Sequence, residues 1–66
     1  MNNIKKYRKE KEMKLEELAK MVGVSTGYLC HLEKGTRRNP SIDVMERIAK
    51  VLNKTIADVF FPEDKK

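Results

Sequence analysis

The stretch ELAKMVGVSTGYLCHLEKGTRRNP, residues 17–40, decides the fold. Gly23 can adopt the positive φ that ends a helix, and Ser25 is a favourable N-cap for the helix that follows. Only Val24 separates these two residues. The helix that ends at Gly23 carries an apolar stripe at the i, i+3, i+4, i+7 spacing of one helix face, formed by Leu15, Leu18, Ala19 and Val22. The sequence therefore predicts two helices joined by a very tight turn.

Helical periodicity continues on both sides of this pair. Further apolar sets at helical spacing are Ile4 and Tyr7; Met45, Ile48, Ala49 and Leu52; and Ile56, Val59 and Phe60. Ser41 and Thr55 are N-cap residues before the last two sets, and Pro62 stops the last one. Met13, Met21 and Met45 are expected to fill the core. We predict one all-α domain over residues 1–62, followed by a polar tail over 63–66, with helices at about 3–11, 15–22, 25–34, 41–52 and 55–60.

Composition narrows the class of protein. The chain has 66 residues, and a domain this small buries only about 60% of its unfolded surface, so a large enclosed active site is not expected. Fifteen Lys and Arg against ten Asp and Glu give a net charge of +5, which favours polyanionic partners. The excess lies in residues 1–14, with net charge +4, and in residues 31–38, with net charge +2.

Several functions are not expected from the residues present. Cys30 is the single cysteine, so no internal disulfide can form and a reducing compartment is expected. No apolar run approaches the ~20 residues that cross a bilayer. His31 has no second His or Cys at ligand spacing, and no glycine-rich phosphate loop or nucleophile–base pair is present. We expect a cytoplasmic protein that is not an enzyme and has no metal, cofactor, small-molecule ligand or membrane partner.

The third predicted helix has an unusual outer face. On a helical wheel, Leu29 and Leu32 lie opposite Thr26, Gly27, Cys30, His31 and Lys34, which form this outer face. Gly27 costs about 1 kcal/mol relative to Ala in a helix. Short polar side chains and a glycine suit close approach to base edges in a major groove. A capped surface helix with a permissive glycine accounts for the same face equally well.

Spaced motifs extend over residues 4–60: Ile4…Arg8, Glu17-Leu18-Ala19, Gly23-Val24-Ser25, Leu32-Glu33-x-Gly35, Asn39-Pro40-Ser41 and Ile48-Ala49…Leu52. In these positions the chain resembles the Xre/Cro-type helix-turn-helix family of bacterial and phage repressors. The runs 4–11, 28–29 and 39–42 are especially similar to the DNA-binding domain of SinR-like repressors. The resemblance implies a compact five-helix, lambda-repressor-like domain whose second and third helices form the helix-turn-helix.

The resemblance also implies a function and a set of contact residues. The expected function is a transcriptional regulator, a repressor, that binds double-stranded operator DNA as a homodimer. Base-reading positions are Ser25, Thr26, Gly27 and His31, with Cys30 on the same face. Phosphate-binding positions are Lys34, Thr36, Arg37, Arg38 and Asn39, together with Lys14 and Tyr28. Arg8 and Glu33 would form an internal ion pair.

Some of these assignments have alternatives. Lys14-Leu15 replaces the Ser-Gln with which many family members begin helix 2, so Lys14 would contact a phosphate through charge alone. Tyr28 suits packing as well as a phosphate hydrogen bond, and Arg37 and Arg38 suit a solvated basic loop. The expected dimer interface is Val59, Phe60 and Phe61, which are more apolar than a short helix needs. The alternative functions are an antitoxin or adaptor whose main partner is another protein, and a purely structural helical module.

Overall fold

The computed structural model describes residues 2–36 and 40–62. This part of the chain contains five α-helices and no strand: α1 Ile4–Glu10, α2 Leu15–Val22, α3 Thr26–Lys34, α4 Ile42–Val51 and α5 Ile56–Phe60. The predicted all-α class is confirmed, and each predicted helix end lies within one residue of the observed end. The predicted tail over 63–66 and the loop residues 37–39 lie outside the described residues.

Side-chain caps explain where the helices begin. The hydroxyls of Ser25, Ser41 and Thr55 each accept a hydrogen bond from the amide three residues further on, at 3.1, 3.2 and 3.0 Å. The helix α2 has no hydroxyl at this position. Instead, the amide of the N-cap residue Lys14 donates to Glu17 Oε1 at 2.7 Å. The side chain of the third helical residue therefore satisfies the backbone amide at the start of α2. Local sequence thus determines the start of α2 through α5.

The turn between α2 and α3 depends on Gly23. Its φ of +90° is in the left-handed region, and its amide donates to Ala19 O at 2.8 Å. A Cβ at this position would lie 3.7 Å from Arg47 Nη1, which is an ordinary contact. The constraint on Gly23 is therefore its backbone conformation and not the space around it. Arg47 of α4 also donates to Val22 O at 3.3 Å and so helps to close the end of α2.

The core is a single cluster to which every helix contributes. Its buried members are Ile4, Leu18, Ala19, Val22, Leu29, Leu32, Ile48, Ala49, Leu52 and Val59. The helix α2 packs against α3 and α4, while α5 packs against α4 and α1. The expectation that Met21 fills the core is wrong, because this side chain is 61% exposed. Met21 precedes Val22 by one residue, which places it about 100° away from the apolar stripe.

Two asparagines attach the N-terminal segment to the rest of the domain. The Asn3 amide donates to Val59 O at 2.7 Å, and its side chain donates to Asp58 O at 3.2 Å. The Asn2 side chain donates to Leu32 O at 2.7 Å, near the C-terminal end of α3. These bonds position α1 against both α3 and α5, and the apolar pattern of the sequence did not predict them.

We expect Gly23→Ala to lower the free energy of unfolding by about 1–2 kcal/mol, because an L-residue is strained at positive φ. Gly27→Ala is the matched control. Gly27 lies within α3 with nothing within 4 Å of an added Cβ, so this change should raise the free energy of unfolding by up to about 1 kcal/mol. Urea denaturation followed by circular dichroism measures both. Equal stability of the Gly23→Ala variant and the parent chain would contradict this account of the turn.

Candidate nucleic-acid interface

The outer face of α3 consists of residues that the core does not use. Leu29 and Leu32, on the opposite side of the helix, are buried. Of the predicted base-reading residues, Ser25, Thr26, Gly27 and His31 are exposed, and Cys30 is partly buried. Because nothing lies near the Cβ position of Gly27, a ligand can approach the backbone of α3 there. The face is open and carries only short side chains near its N-terminal end.

Ser25 has a structural role that coexists with a contact role. Its Oγ accepts from the Tyr28 amide at 3.1 Å and caps α3. This bond uses a lone pair of the oxygen and leaves the hydroxyl proton for a second partner. The N-terminal end of a helix also carries a partial positive charge, which favours an anion or an acceptor atom nearby.

Arg8 and Glu33 hold α3 from behind. Arg8 Nε donates to Glu33 Oε2 at 2.6 Å and Arg8 Nη2 donates to Glu33 Oε1 at 3.2 Å, so the pair is bidentate. The third guanidinium nitrogen, Nη1, donates to Met13 O at 2.9 Å. The two side chains are only 11% and 8% exposed. Arg8 therefore connects α1, the α1–α2 loop and α3, and it does not face a ligand.

The C-terminal end of α3 brings His31 and Thr36 together. Gly35 ends the helix with φ of +79°, and the Thr36 amide donates to His31 O at 3.1 Å. Thr36 Oγ1 lies 3.2 Å from His31 O and 3.0 Å from His31 Nδ1. Sequence patterns did not predict this contact, because it depends on the reversal of the chain at Gly35 and joins side chains five residues apart.

The predicted phosphate-binding residues fall into three groups. Lys14, Lys34 and Thr36 are exposed at helix ends. Tyr28 is partly buried and packs against the core, so packing accounts for at least part of its role. Arg37, Arg38 and Asn39 lie outside the described residues, and their assignment stays a prediction.

Part of the positive charge of α1 lies near the α4–α5 turn. The Nζ of Lys54, in that turn, is 4.7 Å from the centroid of the Tyr7 ring, and the Nζ of Lys6 is 5.7 Å from it. Two shallow depressions of about 200 and 470 Å³ lie beside this turn, and neither includes a residue of α3. Lys6 and Lys54 therefore lie next to Tyr7, where they add to the overall positive electrostatic potential of the domain.

The expected dimer interface needs a correction at Val59. This side chain is 0% exposed because it belongs to the monomer core, so it has no surface to offer a second copy. Phe60 is partly buried and packs against the same core. Phe61 is 47% exposed and is the one member of the predicted set with substantial free surface.

Two further observations concern the described part of the chain alone. Its helices are too short or too polar for any of them to cross a membrane. Residues 2–36 and 40–62 contain no group of three or more His, Cys, Asp or Glu side chains that could hold a metal ion.

The geometry defines a class of protein. Two helices of eight and nine residues are joined by a tight turn at Gly23, and the second helix presents an open polar face. This arrangement is a helix-turn-helix. The chain belongs to the helix-turn-helix family, whose model matches residues 4–59.

Similar proteins fall into the same class. The transcriptional regulator SinR of Bacillus subtilis is 43% identical over 80% of this chain and 48% of its own length. An uncharacterized HTH-type transcriptional regulator of Archaeoglobus fulgidus is 46% identical over 86% of this chain and 79% of its own length. The chain spans about half the length of the SinR relatives it matches.

Solved structures agree with this grouping. A complex of SinR, the master regulator for biofilm formation, with DNA has a TM-score of 0.75 at 43% identity, covering 80% of this chain and 84% of the solved one. A SinR/SinI protein complex has a TM-score of 0.83 at 38% identity, covering 91% of this chain and 58% of the solved one. The predicted similarity to SinR-like repressors is confirmed.

We expect Glu33→Gln to lower the free energy of unfolding by about 2–3 kcal/mol, because it leaves the largely buried Arg8 guanidinium without a counter-charge. Glu46→Gln makes the same chemical change at an exposed position of α4 and should alter stability by no more than about 0.5 kcal/mol. Urea denaturation compares the two variants. Similar stability of both would show that the Arg8–Glu33 pair contributes little.

Proposed function

We propose that this chain is the DNA-binding domain of a sequence-specific transcriptional regulator, a repressor, that inserts α3 into the major groove of operator DNA. The observation that carries the proposal is the outer face of α3, which is open, polar and held rigidly from behind by Arg8 and Glu33. Recognition of base edges needs a helix whose groove-facing side chains are not packed in the protein core. The DNA complex of SinR, a relative with the same fold, supports this reading.

Base reading would fall to the N-terminal half of α3. Thr26 can donate to or accept from a base edge, or contact a thymine methyl group, and Gly27 allows the backbone to approach. His31, one turn further on, reaches the same side of the helix. Ser25 would donate a hydrogen bond from its hydroxyl to a base or to a nearby phosphate. Cys30, partly buried, would act as a small side chain at the groove wall.

Phosphate binding would position α3 in the groove. Lys14 and Lys34 are exposed at the start of α2 and at the end of α3, and we assign them to phosphates beside the groove that α3 would occupy. Arg37, Arg38 and Asn39 follow directly in sequence and extend the basic segment, with Tyr28 and Thr36 as further candidates. Such contacts fix register and supply most of the salt-dependent affinity, while carrying no sequence information.

The proposal includes binding as a homodimer to paired half-sites. A single module of this size buries about 600–1,000 Å² on DNA, which limits its affinity and specificity. Proteins of this type place two modules about one helical turn apart on the duplex. The exposed ring of Phe61, next to the partly buried Phe60, offers apolar surface for the second copy. Val59 is excluded by its burial.

A protein partner is the second candidate function. SinR has been solved in a complex with another protein, SinI, and this chain spans about half of SinR. An antitoxin or adaptor role would use the same fold with DNA binding as a secondary activity. It predicts that a partner protein binds the chain more tightly than any duplex selected from a random pool does.

The proposed recognition is tested by selecting bound duplexes from a random pool. We expect Thr26→Ala to relax preference at particular base pairs, each by about 1–3 kcal/mol. Lys34→Ala should weaken binding to all sequences about equally. It should also make the negative slope of log K against log salt shallower by about one. Fluorescence anisotropy across a salt series measures both effects.

Lys50→Ala is the control for loss of charge. Lys50 and Lys34 are both exposed lysines in the last turn of a helix, but Lys50 lies beside the α4–α5 turn. Its removal should change the salt slope much less than the removal of Lys34. Equal effects would mean that only net charge matters, and no preference for any duplex would exclude sequence-specific recognition.

Dimerisation through Phe61 predicts a selective loss. Phe61→Ser should weaken binding to a duplex with two half-sites and leave binding to a single half-site unchanged, because only the former needs contact between copies. Sedimentation at micromolar concentration, with and without DNA, checks the mass directly. A 7.7 kDa species in the absence of DNA, together with a complex that holds only one chain per duplex of two half-sites, would contradict the homodimer.

A further inference from the structure

We propose that Thr36 is a positioning residue that holds the His31 imidazole with an unprotonated Nε2 available to the duplex. His31 then reads a base by accepting a hydrogen bond from the exocyclic amino group of adenine or cytosine. This inference rests on the proposed function of α3 and makes it more specific. It also gives Thr36 a role other than the phosphate contact predicted from the sequence.

The contact is built into the end of α3. Gly35, with φ of +79°, reverses the chain so that Thr36 lies beside the last turn of the helix. The Thr36 amide donates to His31 O at 3.1 Å, which fixes the backbone of Thr36 relative to His31. Its Oγ1 then lies 3.0 Å from His31 Nδ1 and 3.2 Å from His31 O. The helix and its cap therefore restrain the ring before any ligand arrives.

Counting protons assigns the tautomer. The Thr36 hydroxyl has one proton, and His31 O can only accept, so the 3.2 Å contact between these oxygens is a hydrogen bond only if the hydroxyl donates to the carbonyl. Nδ1 must then be the donor in its 3.0 Å contact with Oγ1. The opposite assignment satisfies the Nδ1 contact alone and leaves two oxygens facing each other without a proton between them.

For the neutral ring, this assignment determines what His31 offers to DNA. A neutral imidazole with a proton on Nδ1 has a lone pair on Nε2. Nε2 lies across the ring from Thr36, on a side chain that is exposed on the outer face of α3. In the major groove, adenine N6 and cytosine N4 are donors, whereas guanine N7 and O6 and thymine O4 are acceptors. His31 therefore favours a base with an amino group over one that presents only acceptors.

The tautomer is tested on the free protein by two-bond ¹H–¹⁵N correlation spectra of His31, recorded under conditions in which the ¹⁵N shifts themselves show a neutral ring. The parent chain and Thr36→Ser, which keeps the hydroxyl, should show the proton on Nδ1. Thr36→Val, which keeps the shape and the backbone bond, should shift the population toward Nε2–H. A proton on Nε2 in the parent chain, or identical spectra for the Val variant and the parent, would overturn the assignment.

The recognition step is tested on duplexes selected by the parent chain. At the base pair where His31→Ala loses preference, purine replaces adenine or 2-pyrimidinone replaces cytosine, which deletes only the amino group. The parent chain and Thr36→Ser should bind these duplexes about threefold to tenfold more weakly than the natural ones. His31→Ala should not distinguish them, and Thr36→Val should retain little of the difference.

The double variant His31→Ala/Thr36→Val should lose no more preference than His31→Ala alone, because Thr36 acts through the ring. Uniform weakening of all duplexes by Thr36→Val would make Thr36 a phosphate contact and overturn the inference. Normal discrimination by Thr36→Val would also overturn it and leave the proposed function intact. If the parent chain distinguishes no duplexes, the proposed function fails together with the base reading by His31.

Discussion

The bidentate pair between Arg8 and Glu33 is the interaction on which the position of α3 depends. The Arg8 guanidinium also donates to Met13 O, so this one side chain joins α1, the α1–α2 loop and α3. At 11% and 8% exposure both partners have given up most of their hydration, and the bidentate geometry compensates for this loss. Because the pair lies on the protein side of α3, it holds the helix without occupying its outer face.

The helix α3 separates two duties between its faces. Leu29 and Leu32 contribute to the core, and the Ser25 hydroxyl and Gly35 close the two ends of the helix. Stability thus comes from burial, caps and the ion pair behind the helix. Because the residues of the outer face do not have to stabilise the fold, α3 can include Gly27, a residue that weakens a helix. The bond between Thr36 and His31 extends the same logic, because a helix cap restrains a side chain of the outer face.

Exposed charge and exposed apolar surface lie in different parts of the molecule. Lys14 and Lys34 are exposed at the ends of the two helices of the helix-turn-helix, whereas Lys54 lies over Tyr7 beside the α4–α5 turn. Phe61 is the exposed aromatic side chain at the end of α5. The domain therefore presents a polar face on α3 and an exposed phenyl ring at the C-terminal end of the last helix.

The sequence by itself determined the five helices, their ends and the helix-turn-helix. These features follow from local rules: apolar spacing, N-cap hydroxyls and a glycine at positive φ act within a few residues. Spacing and resemblance also indicated the outer face of α3 and the Arg8–Glu33 pair. Only the tertiary structure decided that Val59 is fully buried and that Thr36 lies beside His31. Each depends on which neighbours the packed chain provides, because a helical wheel describes one helix and contains no information on what lies next to it.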